Sequence, residues 1–215
     1  MNCVVTAGPT YEPLDEVRRL TNFSTGQLGT ELAAFLADRG HEVTLLVGEA
    51  ASWRGDRRAT RVETFTTTAN LRDRLRSIGG ERVDAVFHAA AVSDFNFGKV
   101  WARAENGDLK ELHSGKLSTG QGTLLAELRP TPKILAELRQ WFPEGKIVGW
   151  KFEVDGDRDA VLQKAKEQLE TCRTDGCVAN GPAYGIGYGL VRPQGETVHI
   201  AAKAELFAAL ERMIA

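Results

Sequence analysis

The amino-acid sequence predicts an α/β fold in which a mostly parallel sheet is covered by helices on both faces. Short apolar, β-branched runs alternate with segments of helical periodicity along most of the chain, which is typical of strand-helix-strand units. The runs are apolar throughout, and this indicates strands that are buried on both sides. Near the C-terminus, Pro193-Gln194-Gly195 separates two strand-like runs and predicts a hairpin. We therefore expect one domain over residues 1–215, with a three-layer, Rossmann-like, doubly wound sheet, a flexible lid and a C-terminal hairpin.

The chain opens with an apolar run that predicts a strand, and a helix is expected over residues 26–39. Ser24 or Thr25 is expected to cap this helix, while Gly26 and Gly29 leave backbone N–H groups of its first turn accessible. An anion could bind at the positive end of the helix dipole, next to Ser24 and Gly26. Equally, the glycines could serve only the close packing of the helix on the strand.

The same alternation continues to the C-terminus. Gly40 is placed to end the first helix, and threonine or aspartate residues can cap later ones. The predicted strands lie at residues 41–47, 61–65, 83–88, 146–150, 175–179, 188–192 and 197–200, and the later helices open at Thr68, Thr131, Asp157 and Lys203. In an open sheet of this kind, ligands bind at the carboxyl ends of the strands.

The end of one predicted strand carries the run HAAAVSDF. Small side chains at Ala89, Ala90 and Ala91 let a ligand approach the backbone closely, and the Asp94 carboxylate could accept hydrogen bonds from ribose hydroxyls or amino groups. An alanine run followed by a turn aspartate also occurs for packing alone. We expect His88 to end the strand rather than to act as a base.

Residues 96–122 are polar and rich in glycine, and they lack sustained periodicity. A loop of this length in a compact domain is usually functional or mobile, so we expect a flexible lid. It contains Lys116, within a short motif at residues 114–118. A loop lysine is usually a solvated charge, so by itself it is a weak indication of function.

Composition and charge limit the classes of function. The formal net charge is -2 and the pI is near 6.1, so there is no basic field for nucleic acid and we expect no such partner. No apolar run approaches the roughly 18 residues of a membrane span, and the N-terminus lacks a signal-peptide pattern. We therefore expect a cytoplasmic protein without membrane contact. The odd number of cysteines favours buried thiols, and Cys172-x4-Cys177 lacks histidine partners, so no metal-binding side chains are predicted.

The segment TAGPTYEPLDEVRRLTNFSTGQLG, at residues 6–29, resembles the opening of the phosphopantothenoylcysteine synthetases, also called phosphopantothenate-cysteine ligases. The resemblance continues at AAVSDF, at TPKIL, at GWKFE and at VAN. A match this dense is far more specific than a single glycine motif. It implies ligation of 4′-phosphopantothenate to L-cysteine through an acyl-nucleotide intermediate, as a step of coenzyme A biosynthesis.

The resemblance also implies roles for individual residues. Asn22, whose amide both donates and accepts hydrogen bonds, and Lys116, which would reach the triphosphate, are expected to act in catalysis. The guanidinium of Arg18 suits the phosphate of the substrate, and Arg19 is its alternative. The other expected substrate contacts are Ser24, Gly26, Ala89, Ala90 and Ala91. The expected nucleotide contacts are Asp94, Lys116, Thr131, Pro132, Trp150, Lys164 and Asn180.

The expected ligands are small molecules: 4′-phosphopantothenate, L-cysteine, and CTP or ATP with Mg2+ held largely by phosphate oxygens. The sequence does not choose between CTP and ATP. In many bacteria the synthetase is fused to a flavin-dependent decarboxylase, but this chain starts at the synthetase opening, so we expect no flavin. The family also dimerises, commonly through part of the lid region, and we expect a homodimer.

Two positions depart from the family pattern. The family carries two lysines four residues apart on the helix after Asp157; Lys164 matches the first, but Gln168 occupies the second, which leaves the triphosphate contact and the nucleotide open. Trp150 is larger than the usual aromatic residue, and it could stack on a base or close the core.

Other classes of protein share some of these features. An NAD(P)-dependent reductase would have the same fold class, but the full G-x-G-x-x-G fingerprint is missing. A nucleotide-binding relative without catalysis is another alternative, and the change at Gln168 would allow it. A Walker-type ATPase is disfavoured, since no G-x-x-x-x-G-K-[ST] motif occurs.

Overall fold

The computed structural model describes residues 1–113 and 115–214, so the C-terminal end of the predicted domain, Ala215, lies outside the described residues. In chain order the strands are β1 (Asn2–Ala7), β2 (Tyr11–Pro13), β3 (Arg19–Thr21), β4 (Glu42–Gly48), β5 (Arg61–Phe65), β6 (Ala85–His88), β7 (Phe95–Arg103), β8 (Leu109–Leu112), β9 (Thr123–Pro130), β10 (Lys146–Phe152), β11 (Gly176–Asn180), β12 (Tyr188–Val191) and β13 (Thr197–Ile200). The helices are α1 (Gln27–Asp38), α2 (Thr68–Ile78), α3 (Ile134–Trp141), α4 (Arg158–Cys172) and α5 (Lys203–Glu211).

The central sheet has eight strands in the order β13-β12-β11-β10-β6-β1-β4-β5. The six strands from β11 to β5 run parallel, and β12 and β13 form an antiparallel hairpin at one edge. The chain moves outward from β1 to β5 and then returns to place β6 on the other side of β1. The strand order therefore reverses between β1 and β6, which is where open α/β sheets bind ligands. The predicted Rossmann-like sheet and C-terminal hairpin are confirmed.

Helices cover both faces of this sheet. Along β1, the side chains of Cys3, Val5 and Ala7 pack into one core with α1 and α5, while Val4 points into the opposite core with α2 and α3. A third apolar cluster joins α4 to β11 and β12. Because both faces are covered, the central parallel strands are mostly apolar, as the sequence pattern indicated, whereas the edge strand β5 carries Arg61 and Glu63.

The helix N-termini differ from several predictions. The N-cap of α1 is Gly26, in the left-handed conformation with φ of 80° and no side-chain cap bond of its own. Of the two predicted caps, Thr25 accepts from the N–H of Gln27, the first residue of the helix, at 3.3 Å. A side chain at Gly26 would come within 3.1 Å of Ala51 Cβ, so glycine is required there by both conformation and space. In α2 the capping side chain is Thr67, one residue before the predicted Thr68.

The start of α3 was also predicted incorrectly. The helix begins at Ile134 with Lys133 at the N-cap, whereas Thr131 and Pro132 precede it outside any helix or strand. The Thr131 hydroxyl instead donates to the carbonyl of Ser93 at 2.5 Å, which joins the end of β9 to the loop after β6. The predicted cap of α4 is confirmed, because Asp157 accepts from the backbone N–H of Ala160.

The segment 96–122 is not the irregular loop that was predicted. Strands β7, β8 and β9 form a separate three-stranded antiparallel sheet, in which Phe95 pairs with Pro130 and Arg103 with Thr123. We call this sheet, residues 95–130, the arm. Its strands are set by pairing between distant segments rather than by local periodicity. The lysine-bearing motif begins at Ser114, which lies outside the described residues, and the mobility of the predicted lid stays a prediction.

Candidate functional site

The carboxyl ends of the parallel strands form two cavities. The first, which we call the α1 cavity, has a volume of about 280 Å³ and lies over the N-terminus of α1. The second, the α3 cavity, has a volume of about 560 Å³ and lies at the N-terminus of α3. Ala89 lines the α1 cavity and its neighbour Ala90 lines the α3 cavity. The predicted alanine run is therefore a ridge of small residues between the two cavities.

Hydrogen bonds from the β1–α1 loop hold the ridge. The N–H of Ala91 donates to the carbonyl of Gly8 at 3.0 Å, and the N–H of Thr10 donates to the carbonyl of Ala91 at 3.1 Å. The same carbonyl accepts from Nδ2 of Asn22 at 3.1 Å. The predicted catalytic Asn22 thus lies beside the ridge. The backbone carbonyl of Ala91 orients its side-chain amide.

A buried Thr6–His88 pair lies beneath the ridge. Thr6 Oγ1 accepts from the N–H of Ala90 at 3.0 Å and lies 3.0 Å from Nδ1 of His88. A hydroxyl has one proton and two acceptor sites, so Thr6 either donates to Nδ1 of a neutral imidazole or accepts from it, depending on the tautomer of His88. Burial lowers the pKa of His88 from 6.5 to about 4, which favours the same neutral form. His88 ends β6 as predicted.

Three hydroxyl groups hold the loop that follows the ridge. Thr10 Oγ1 accepts from the N–H of Ser93 at 2.8 Å, donates to Ser93 Oγ at 3.1 Å, and lies 3.3 Å from Thr68 Oγ1. All three residues are buried. The loop therefore leaves β6 in a defined direction, which carries Asp94 to the α3 cavity.

The α1 cavity contains four predicted residues: Ser24, Gly26, Ala89 and Asn180. At Gly29, a side chain would come within 2.8 Å of Ala7 Cβ and of the carbonyl of Thr6. The glycines thus serve the close packing of α1 on β1, and they also leave the first turn of the helix open to the cavity.

Sequence reasoning missed two other residues of the α1 cavity, Tyr188 and Lys203. The ammonium of Lys203 forms an ion pair with Glu31 of α1, whose carboxylate also accepts from Gln27. Lys203 begins α5, far from α1 in the sequence, so only the strand order could have indicated that the two helices meet here. The pair gives the cavity one positive and one negative side chain.

The α3 cavity collects five predicted residues: Ala90, Asp94, Thr131, Pro132 and Trp150. The ring of Trp150 packs against the core on the α1 face, so it closes the core. Its Nε1 is buried, and it has no hydrogen-bond partner among residues 1–113 and 115–214. Lys133 and Lys151 also line this cavity, although neither was predicted.

The helix α4 does not present a pair of lysines to the α3 cavity. Nζ of Lys164 lies 2.5 Å from Glu153, and that carboxylate also pairs with Lys151 at 3.0 Å. The buried Gln168 donates to the carbonyl of Trp150 at 3.1 Å and to Sγ of Cys177 at 3.3 Å. Gln168 therefore ties α4 to β10 and β11, which is a structural role.

Arg18 and Lys116 lie apart from both cavities, within the part of the chain that the structure describes. The carboxylate of Asp15 accepts from the guanidinium of Arg18 at 2.5 Å and from the N–H of Leu117 at 3.1 Å. Arg18 also donates to the carbonyl of Leu117 at 2.7 Å, so the residue after Lys116 is fixed against the β2–β3 hairpin. Arg18 holds the pKa of Asp15 well below its usual range. The alternative, Arg19, stacks over Tyr11 with 4.3 Å from its guanidinium carbon to the ring centre.

Comparison with known proteins agrees with this architecture. A family model described as the C-terminal domain of DNA/pantothenate metabolism flavoproteins matches residues 1–213. The coenzyme A biosynthesis bifunctional protein CoaBC of Thermococcus kodakarensis is 33% identical over 177 residues, which cover 82% of this chain and 40% of that protein. The chain thus spans less than half the length of this relative.

Two solved structures share the fold. The DNA/pantothenate metabolism flavoprotein from Streptococcus pneumoniae has a TM-score of 0.84 at 26% identity, covering 100% of this chain and 98% of that one. A Cab2 mutant in complex with phosphopantothenate-cysteine has a TM-score of 0.70 at 20% identity, covering 98% of this chain and 86% of that one. Since the family model matches nearly every residue, this chain belongs to the family of the C-terminal domain of DNA/pantothenate metabolism flavoproteins.

Proposed function

We propose that this protein ligates 4′-phosphopantothenate to L-cysteine at the expense of a nucleoside triphosphate, in coenzyme A biosynthesis. The observation that carries the proposal is the ridge from Ala89 to Ala91, which separates an α1 cavity at a helix N-terminus from an α3 cavity with two lysines. A condensation of this kind needs two anionic substrates to meet at one carboxyl group. The family, and a relative named for coenzyme A biosynthesis, support the same reaction.

In this proposal the phosphate of 4′-phosphopantothenate binds in the α1 cavity and the nucleotide binds in the α3 cavity. Ser24, Gly26 and Asn180 contact the first ligand, and helix N-terminal N–H groups favour its charge. Asp94 and Thr131 contact the second. The acyl carbon then lies over the ridge, where the second N–H of the Asn22 amide can stabilise an oxyanion. The backbone N–H groups of Ala89, Ala90 and Ala91 already donate within the protein.

Magnesium would enter with the triphosphate. Within the described ranges, no group of three or more His, Cys, Asp or Glu residues could hold a metal ion. This fits an ion that is held largely by phosphate oxygens, with Asp94 as the carboxylate that lines the same cavity. The condensation transfers no electrons, so it requires no flavin.

The proposal includes a cytoplasmic homodimer. In the part of the chain that the structure describes, no helix is long and apolar enough to cross a membrane. The arm exposes Phe95, Leu109, Leu125 and Leu128, and exposed apolar side chains on a separate small sheet favour contact with a second copy. Light scattering at micromolar concentration tests the dimer, and a monomer would contradict it.

The reaction is tested with the purified protein, 4′-phosphopantothenate, L-cysteine, Mg2+ and either CTP or ATP. We expect pyrophosphate release and the mass of phosphopantothenoylcysteine. Replacing cysteine by serine, or the phosphorylated substrate by pantothenate, is the matched control and should lower turnover strongly. A panel of other carboxylates and amines then tests the choice of substrate. Nucleotide binding without turnover on any pair would instead support a non-catalytic binding protein.

A further inference from the structure

The α3 cavity has its own arrangement of positive charge. Two lysines line it, Lys133 at the N-cap of α3 and Lys151 on β10. The helix α4, which the family resemblance singled out for the triphosphate, contributes the buried Gln168 to the lining instead. The amide of Gln168 donates to Trp150 and Cys177, so it is not available to a ligand without breaking both bonds.

The two lysines approach the same point from different elements. Burial raises the pKa of the Cys177 thiol to about 12, and the charges of both Lys151 and Lys133 oppose this rise. Both ammonium groups therefore act electrostatically on a buried residue of β11, and both line the same cavity. Lys133 is exposed and pairs with no carboxylate of the described chain.

The charge around Glu153 leaves Lys151 available to a ligand. Glu153 pairs with Lys164 at 2.5 Å and with Lys151 at 3.0 Å. One carboxylate thus faces two ammonium groups, and the trio keeps one positive charge. A ligand phosphate can bind the ammonium group of Lys151 while that of Lys164 remains paired with Glu153, since lysine ammonium groups act as mobile point charges. Lys164 then neutralises Glu153, which would otherwise repel the phosphate.

We propose that Lys133 and Lys151, rather than lysines of α4, hold the polyphosphate of the nucleoside triphosphate in this protein. The inference rests on the proposed function for the identity of the ligand. Asp94 and Thr131, which also line the cavity, remain for the nucleoside and the metal ion. In this proposal the contacts to the polyphosphate come from the N-cap of α3 and from β10 instead of from α4.

The test compares Lys133→Ala, Lys151→Ala and the double variant with Lys164→Ala and Lys166→Ala. Lys166 lies on α4 outside the cavity lining and serves as the matched control. We expect each of the first two variants to weaken binding of CTP or ATP with Mg2+ about tenfold, and the double variant to weaken it about a hundredfold, which corresponds to roughly 1.4 kcal/mol for each lysine. Binding of the plain nucleoside and the KM for cysteine should stay within twofold.

Binding is measured by calorimetry, separately from turnover, so that the two proposals fail differently. If the wild type binds triphosphate but forms no product, the proposed function is wrong. The assignment of the two lysines is then judged from the binding data alone. If Lys164→Ala weakens triphosphate binding more than Lys133→Ala and Lys151→Ala do, the assignment is overturned. Lys151→Arg, which keeps the charge, should recover most of the affinity; equal loss in the arginine and alanine variants would also overturn it. Melting temperatures confirm that each variant is folded.

Discussion

Thr6 Oγ1 forms a hydrogen bond with Nδ1 of His88 at 3.0 Å, and this bond joins the ends of the neighbouring strands β1 and β6. Both side chains are buried. Because the same hydroxyl accepts from the N–H of Ala90, it couples the tautomer of the histidine to the position of the ridge. The switch point of the sheet is therefore held by side chains as well as by the strand ladder.

Thr6→Val tests this coupling. Valine keeps the shape of threonine but leaves Nδ1 of His88 and the N–H of Ala90 without their partner, which should lower the free energy of unfolding by roughly 2–4 kcal/mol. Urea denaturation measures the loss, and turnover should fall because the ridge is no longer fixed. Thr6→Ser restores the hydroxyl and should recover most of both. A valine variant as stable and active as the wild type would show that the hydrogen bonds of Thr6 do not stabilise the ridge.

The burial of His88 predicts a pH dependence of stability. Its pKa is lowered to about 4 in the folded protein, from 6.5, so between these values the unfolded chain binds more protons than the folded one. The free energy of unfolding should therefore fall as the pH drops through 6.5 towards 4, by a total of about 3 kcal/mol.

The matched variant is His88→Asn, whose amide oxygen can still accept from Thr6 but does not titrate in this range. Its stability should change less between pH 7 and pH 5 than that of the wild type. Carboxylates with lowered pKa, such as Asp84 and Glu127, lose their contribution only as the pH falls below their usual values, so this window isolates the histidine. Parallel curves for the two proteins would contradict the prediction.

Local patterns predicted those parts of the fold that depend on local burial. The central strands of the parallel sheet are mostly apolar because both of their faces are covered, as at Val4 and Val5 of β1, and such runs are visible in sequence. The arm was missed because Phe95 pairs with Pro130, a distant partner that no local period indicates. Thr131 was misread as a cap because its hydroxyl is engaged by Ser93.

The residues of the candidate site were also predicted only in part. The resemblance named residues that the structure gathers at the strand ends, such as Ala89, Asp94 and Asn180. It could not show that Lys203 meets α1 or that Lys133 and Lys151 line the α3 cavity, since these contacts depend on how α3 and α5 are placed. It also gave no sign that Arg18 is bound by Asp15, three residues earlier.

The hydrogen bonds of Asp15 are expected to limit local opening of the arm. Its carboxylate, with 1% of the side chain exposed, accepts from Leu117 and so fixes the segment that contains Lys116. Asp15→Asn should weaken this contact and raise the rate of tryptic cleavage after Lys110 and Lys116 by about tenfold, because cleavage follows local opening. Asp108→Asn, in the turn between β7 and β8, is the control and should leave the rate unchanged. Equal cleavage of all three proteins would show that Asp15 does not hold the arm.

Nucleotide binding should protect the same segment. If Lys116 reaches the triphosphate, CTP or ATP with Mg2+ should slow tryptic cleavage between residues 96 and 122, since ordered segments resist proteolysis. Lys116→Ala should lose this protection while it keeps the melting temperature of the wild type. The same rate of cleavage with and without nucleotide would remove Lys116 from the site.

Replacement of Asn22 is expected to abolish activity with little loss of stability. The side chain is exposed and makes one bond, from Nδ2 to the carbonyl of Ala91, so Asn22→Ala should cost less than about 1 kcal/mol of unfolding free energy. Condensation should nevertheless be abolished if the amide stabilises the oxyanion, as the proposed function requires. Calorimetry and product formation measure the two effects. Lost stability with retained activity would make Asn22 a turn former.

The route of carboxylate activation is the last prediction. A carboxylic acid condenses with an amine only after its hydroxyl becomes a better leaving group, either as an acyl phosphate with loss of nucleoside diphosphate or as an acyl nucleotide with loss of pyrophosphate. The sequence has no Walker loop to present a γ-phosphate, and the family resemblance implies an acyl nucleotide. We therefore expect the substrate carboxylate to attack the α-phosphorus, across the ridge between the two cavities.

The experiment omits cysteine, so that the reaction stops at the activated acid. Rapid quench of enzyme, 4′-phosphopantothenate, triphosphate and Mg2+ should show a burst of pyrophosphate and the mass of the acyl nucleotide. The burst should approach one equivalent per active site, since no amine is present to release the nucleotide. Asn22→Ala, which loses the amide that we propose stabilises the reacting acyl group, should give a smaller or slower burst. Nucleoside diphosphate with inorganic phosphate would establish the acyl-phosphate route instead.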